Sequence, residues 1–162
     1  MGRYPGGKIV RITPTLSTAQ YAQGDVLFNP TEIKLGTRDA VRLTAMYIVN
    51  QNTTNVNIDF IFMQKQADLG TINETANVDD PTMESMKIIG FLFSDGAAMK
   101  TAQCDTFAIQ RAVHDDTVQT PILLAPESGG DSVYVGAILT GSGTPTYAAD
   151  DIDIVLHLEY LS

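Results

Sequence analysis

The chain has 162 residues, 44% of them hydrophobic, which predicts one folded domain with a sizeable apolar core and excludes wholesale disorder. Its only cysteine is Cys104, so no intrachain disulfide can form and packing alone must hold the fold, as suits synthesis in a reducing cytoplasm. The net charge of −9 divides unevenly: seven basic and four acidic residues in 1–67, three basic and fifteen acidic in 68–162. Such acidity argues against nucleic-acid binding through phosphates, and no apolar run approaches the ~20 residues that cross a bilayer.

Residues 1–11 carry Arg3, Lys8 and Arg11 with no acid, and Pro5 stands beside Gly6 and Gly7. They are expected to form an extended N-terminal arm, separable from a domain over 12–162. No stretch there has the apolar core of a signal peptide, so a protein without a secretion signal is expected. Residues 8–12 can begin a strand, which Thr13-Pro14-Thr15 breaks or confines to a sheet edge, because proline lacks the ladder donor. Residues 25–28 read as a short strand, Asn29-Pro30 as a turn and 32–39 as a loop.

Residues 40–49 alternate strongly. Val41, Leu43, Ala45, Tyr47 and Val49 share one predicted face, with Arg42, Thr44, Met46 and Ile48 on the other. After the polar turn 51–54, Val56, Ile58, Phe60 and Phe62 alternate with polar neighbours, and the two strands are expected to pair as a hairpin. Met46, Ile48, Ile61 and Met63 then fall on its solvated faces and become candidates for an oligomer interface. Residues 67–80 are expected to form a long polar loop. Asp80, Pro81 and Glu84 suit the start of a short helix, and 88–93 reads as a buried strand.

Residues 97–116 are ambiguous, with Phe107, Ile109 and Arg111 allowing a strand. Residues 122–125 and 133–139 read as further strands. The last is the clearest: Ile152, Ile154, Leu156, Leu158 and Tyr160 point one way, Asp151, Asp153, His157 and Glu159 the other. Eight or nine short strands and one helix predict an all-β fold, a β-sandwich or jelly roll. The expected core contains Val41, Leu43, Tyr47, Ile58, Phe60, Phe62, Ile89, Val135, Ile154, Leu156 and Leu158.

Candidate chemistry is sparse. Asp79, Asp80 and Glu84, then Asp115 and Asp116 beside His114, then Asp150, Asp151 and Asp153 each offer oxygen ligands, but none has calcium-loop spacing, and Asp is common at turns and caps. A carboxylate pair for glycoside hydrolysis needs a separation that sequence does not supply. No nucleophile elbow, phosphate-binding loop or zinc-protease helix motif is present, so catalytic, cofactor-binding and metal-binding residues are all expected to be none. Cys104 has only His114 and His157 as conceivable bases and reads as unreactive. Gly141-Ser142-Gly143 reads as a turn, and the glycosylation-like matches at Asn52 and Asn73 as chance.

Three segments carry a resemblance: ITPTLSTAQYAQGDVLF at 12–28, LGTIN at 69–73, and GTPTYAADDIDIVLHL at 143–158. With them the chain, from residue 12 onward, resembles small structural proteins of tailed bacteriophages that act as head decoration or cement proteins. The resemblance implies a β-rich virion protein, commonly trimeric, made in the host cytoplasm and bound to the major capsid protein outside the shell, where it bridges capsomers. It nominates no contact residues. The basic arm, with Arg3, Lys8 and Arg11, is the expected docking element. A carbohydrate- or receptor-binding sandwich from a tail or fibre is the competing expectation, with Tyr134 and Tyr147 as candidates for stacking on sugars.

Overall fold

A computed structural model describes residues 6–52, 54, 56–96, 108–112 and 122–161; for 108–112 it describes the backbone. Nine strands and one helix lie among them: β1 (Gly7–Ile12), β2 (Val26–Lys34), β3 (Val41–Asn50), β4 (Ile58–Met63), α1 (Asp80–Met86), β5 (Ile88–Ser94), β6 (Ala108–Ala112), β7 (Ile122–Leu124), β8 (Ser132–Leu139) and β9 (Ile152–Tyr160). They form two antiparallel sheets. One has the order β1-β9-β3-β6, with β7 beside β6 on the same edge of β3; the other has the order β2-β8-β4-β5. Nested pairing of β1 with β9, β2 with β8, β3 with β6 and β4 with β5 is the jelly-roll arrangement, counting β6 and β7 as one interrupted strand. The all-β sandwich expected from the period-two patterns is what the chain forms.

The core lies between the sheets. Ile58, Phe60 and Phe62 meet Ile154, Leu156 and Leu158 there, with Val41, Leu43, Val133, Val135 and Leu139. Ala137 stands in register between Phe28 and Phe60, and its small side chain leaves room for the two rings, whose centroids are 6.3 Å apart. Ile89 is partly buried against this core.

Three local expectations are corrected. β3 and β4 do not form a hairpin: β3 belongs to the first sheet and β4 to the second. Each has an apolar face that must reach the same core from opposite sides, so the polar connection passes between layers instead of closing a ladder. Within β3 the alternation breaks. Leu43 pairs with Leu158 and Ala45 with His157, leaving Thr44 as an extra residue. This bulge reverses the parity of everything after it. Val41 and Leu43 therefore share the buried face with Met46 and Ile48, and Tyr47 is half-buried on the outer face. Finally, Asn29-Pro30 is not a turn. β2 continues to Lys34 with its register shifting around these residues, and an edge strand can accommodate the missing proline donor there.

The 64–79 connection folds back over the outer face of the second sheet. Asn29 fastens it, donating from Nδ2 to the Gly70 carbonyl at 2.8 Å and accepting from the Leu69 amide at 2.8 Å. Val26, Met63, Leu69 and Met86 are buried beneath it, with Ile61, Tyr134 and Ile138 packed alongside. α1 starts one residue earlier than the Asp80 cap expected: Asp79 caps it by accepting from the Thr82 amide, and Pro81 sits in the first turn.

A candidate docking face on the first sheet

The outer face of the first sheet follows from register. Cross-strand partners point the same way, so Ile9, His157 and Ala45 form one row and Arg11, Val155 and Tyr47 the next. Gly7, Glu159 and Arg42 flank them on one side, Asp153 and Val49 on the other. Ile9 is 65% exposed, while Tyr47, Val49, Val155 and His157 are half-buried. The Tyr47 and His157 rings meet edge-on at 5.5 Å. Two ion pairs bracket the apolar centre, Arg11 with Asp153 at 2.8 Å and Arg42 with Glu159 at 3.0 Å. Thr13 also donates to Asp153, and Thr44 donates to the His157 carbonyl at 3.0 Å. Exposed pairs of this kind add about 0–1 kcal/mol each to stability, so they orient side chains more than they hold the fold.

An apolar centre with a polar rim is the anatomy of a protein–protein contact. No described segment covers this face, in contrast to the loop and helix laid over the second sheet. The local charge is balanced, two arginines against two carboxylates, on a chain whose net charge is −9.

The expected docking cations do not converge. Arg3 lies outside the described residues. Gly7–Ile12 is not a free arm but an edge strand paired with β9 over its whole length. Strand alternation sends Lys8 and Arg11 to opposite sides. Arg11 stands on the outer face, whereas the Lys8 ammonium donates to the Lys34 carbonyl at 3.2 Å, across the gap to β2. The interface candidates of the β3 and β4 strands are also corrected. Met46 and Ile48 are in the main core because of the Thr44 bulge, and Met63 with Ile61 lies under the 64–79 loop. Met46, Ile48 and Met63 are buried by their own chain, whereas Ile61 is half-buried opposite Phe91 of β5.

The acidic candidates are local. Asp79 caps α1, and Asp151 accepts from the Ala148 amide in a turn. His114, Asp115, Asp116 and Cys104 lie outside the described residues. Among the described residues no group of three or more His, Cys, Asp or Glu converges on a possible metal position. Tyr147 is buried edge-on against Tyr21 at 5.7 Å, and burial pushes its hydroxyl pKa well above the usual tyrosine value. Tyr134 packs under the 64–79 loop. Tyr147 therefore presents no free face for a sugar, and Tyr134 is half-buried. Asn52 donates from Nδ2 to the Thr146 carbonyl at 2.7 Å, an engagement in the turn network at odds with a glycosylated side chain.

The three resembling segments meet in space. Gln20 bridges to Thr146, the Tyr21 amide donates to the Pro145 carbonyl, and Val26 bridges to Ile72. They build one end of the sandwich and its loop cover, which makes them packing motifs. The sequence matches no protein-family model and no curated protein.

Proposed function

We propose that this chain is a structural virion protein that binds the outside of a tailed-phage head and stabilises it by bridging capsomers. The observation that carries the reading is the outer face of the first sheet, which no described segment covers, with Ile9, Tyr47 and Val155 between two charge-balanced ion pairs. Such a face suits a flat partner of mixed charge, and here the partner is the major capsid protein. The resemblance of segments 12–28, 69–73 and 143–158 supplies the class of partner, and jelly rolls recur among viral shell proteins, an analogy at the level of fold. Many weak copies on a lattice sum to strong reinforcement, because every bridge must break before the shell bursts. The trimer belongs to this proposal through the resemblance alone.

A lectin-like tail component is also compatible with a jelly roll, but Tyr147 is buried and Tyr134 is packed in part against the cluster under the 64–79 loop, which weakens the stacking platform that reading needs.

The test is sedimentation of purified protein with phage heads that lack it. Saturable binding to assembled heads, weak binding to free capsid subunits, and loss of binding on Ile9→Asp or Tyr47→Asp are expected. Unchanged occupancy with both variants, or binding to a defined glycan instead, refutes the proposal.

A further inference from the structure

The strand β5 carries a surface that neither the core nor the 64–79 loop absorbs. Its sequence, IIGFLFS, is apolar at almost every position, the signature of a strand covered on both faces. Register assigns those faces. Leu92 and Ser94 point inward and are buried. Ile88, Phe91 and Phe93 stand opposite Met63, Ile61 and Asp59 on the outer face. The pairing skips Ile89, which turns back to the core. Ile88 remains 45% exposed and Phe91 42% exposed, with Phe93 and Ile61 half-buried beside them. Ile88, Phe91 and Phe93 therefore line the outer face of an edge strand as a stripe, with Ile61 of β4 beside them, unlike single exposed apolar residues, which need no explanation.

The stripe is electrically polar along its length. Lys87 immediately precedes Ile88, and Lys65 lies close by, since both ammonium groups reach Glu127, at 2.6 and 3.4 Å. At the other end Asp59 stands opposite Phe93. One end is thus net cationic and the other anionic. Two copies of such a stripe, laid antiparallel about a two-fold axis near Phe91, bring each cationic end against the partner's anionic end. An isologous contact requires this self-complementarity.

We propose that the outer face of β5 is a self-association surface, on which a second copy of this chain packs antiparallel about Phe91. The inference does not rest on the capsid reading. The exposed apolar area of the stripe is roughly 200–300 Å², well short of the ~800 Å² per partner of a standard interface. The stripe is then the centre of a modest contact, and the dimer is weak, with a Kd in the micromolar range.

Sedimentation equilibrium of the full chain tests this. A concentration-dependent species of twice the 17.5 kDa chain mass is expected. Phe91→Asp should raise the Kd at least tenfold, as loss of a central aromatic anchor does. Asp59→Lys alone and Lys87→Asp alone should each weaken the dimer by juxtaposing like charges, and mixing the two variants should restore a heterodimer of wild-type affinity. Aspartate tolerates the left-handed backbone of position 87, where φ is 50°, so that variant keeps the helix cap. Thermal melting of each variant verifies folding, and the charge pair remains informative if Phe91→Asp does not fold. A wild-type chain that stays monomeric at several hundred micromolar overturns the proposal, as does an oligomer indifferent to all three substitutions. A monomer whose Phe91→Asp form fails to bind heads would assign the stripe to capsid protein and overturn self-association.

Discussion

Gly136→Ala probes the closure of the 64–79 loop over the second sheet. Gly136 lies in β8 opposite Ile61, on the face that the loop covers. A Cβ placed there meets Leu69 Cδ1 at 2.7 Å and Pro30 at 3.4 Å. The backbone does not need glycine at this position, so the effect isolates steric crowding. Leu69 is fully buried and its amide is bonded to Asn29, so it cannot swing aside without lifting the loop. Overpacking of this kind costs about 1–3 kcal/mol, or roughly 2–10 °C in Tm for a domain of this size. Leu69→Ala alone leaves a cavity and costs about 2–5 kcal/mol. Combined, the new methyl occupies space that the leucine vacated, so the double variant should be more stable than the sum of the two losses by about 1–2 kcal/mol. Urea unfolding of the four proteins measures that coupling. A Gly136→Ala protein with wild-type stability, or strict additivity in the double variant, refutes the packing argument.

Deleting Thr44 should cost little, because it removes the bulge and leaves Leu43, Met46 and Ile48 facing the core; deleting Tyr47 should unfold the chain by turning Ile48 outward, and circular dichroism distinguishes the two. Ile154→Asp or Phe60→Asp should abolish cooperative melting, since an unpaired buried charge costs several kcal/mol. Removal of residues 1–11 should lower Tm substantially, because it strips five of the six residues of β1 from β9, whereas removal of 1–5 takes away no described contact. Burial, opposed by a hydroxyl bond from Thr140, raises the Asp59 carboxyl above its ordinary 3.8. A raised carboxyl loses stability as pH climbs through the folded value, so Asp59→Asn should match the wild type near pH 3 and exceed it at pH 7, as read by Tm at concentrations where the chain is monomeric.

Much of the architecture was legible because sandwich strands alternate by necessity. β9 needed nothing beyond its own pattern, and Ile58, Phe60 and Phe62 identified themselves the same way. What failed were features that depend on a second strand. The Thr44 bulge exists only relative to β9, and no property of the string VRLTAMYIV marks which residue is extra. Without it, strict alternation places Met46 and Ile48 on the solvent side and Tyr47 in the core. The β3–β4 hairpin failed for a related reason. Two apolar strands with a short polar joint are compatible with one ladder or with two layers, and only the need of both faces for one core decides between them. The loop over 64–79 looked polar because its apolar members, Leu69, Ile72, Ala76 and Val78, are spaced without a period, each packing where the loop happens to cross the sheet.

The same parity logic relocates the place to look for a partner. Three cations at one end of a sequence suggest a basic arm, but a strand has two sides, and β1 spends Lys8 on the gap toward β2 and Arg11 on the outer sheet. Among the described residues, the charge on this side of the molecule is therefore carried by a face, where Arg11 and Arg42 each have a carboxylate beside them. A tail of free cations predicts binding that weakens steeply with salt, because each contact releases counterions or competes with them. A balanced face around Ile9, Tyr47 and Val155 predicts the reverse ranking: modest salt dependence and a large loss on removing apolar area. Head binding measured at 50 mM and 500 mM NaCl separates these, with Arg11→Gln and Ile9→Asp compared at both. If Arg11→Gln removes most of the affinity and salt erases the rest, charge alone docks the protein. If Ile9→Asp is the more damaging change at either salt, the sheet face is the contact surface.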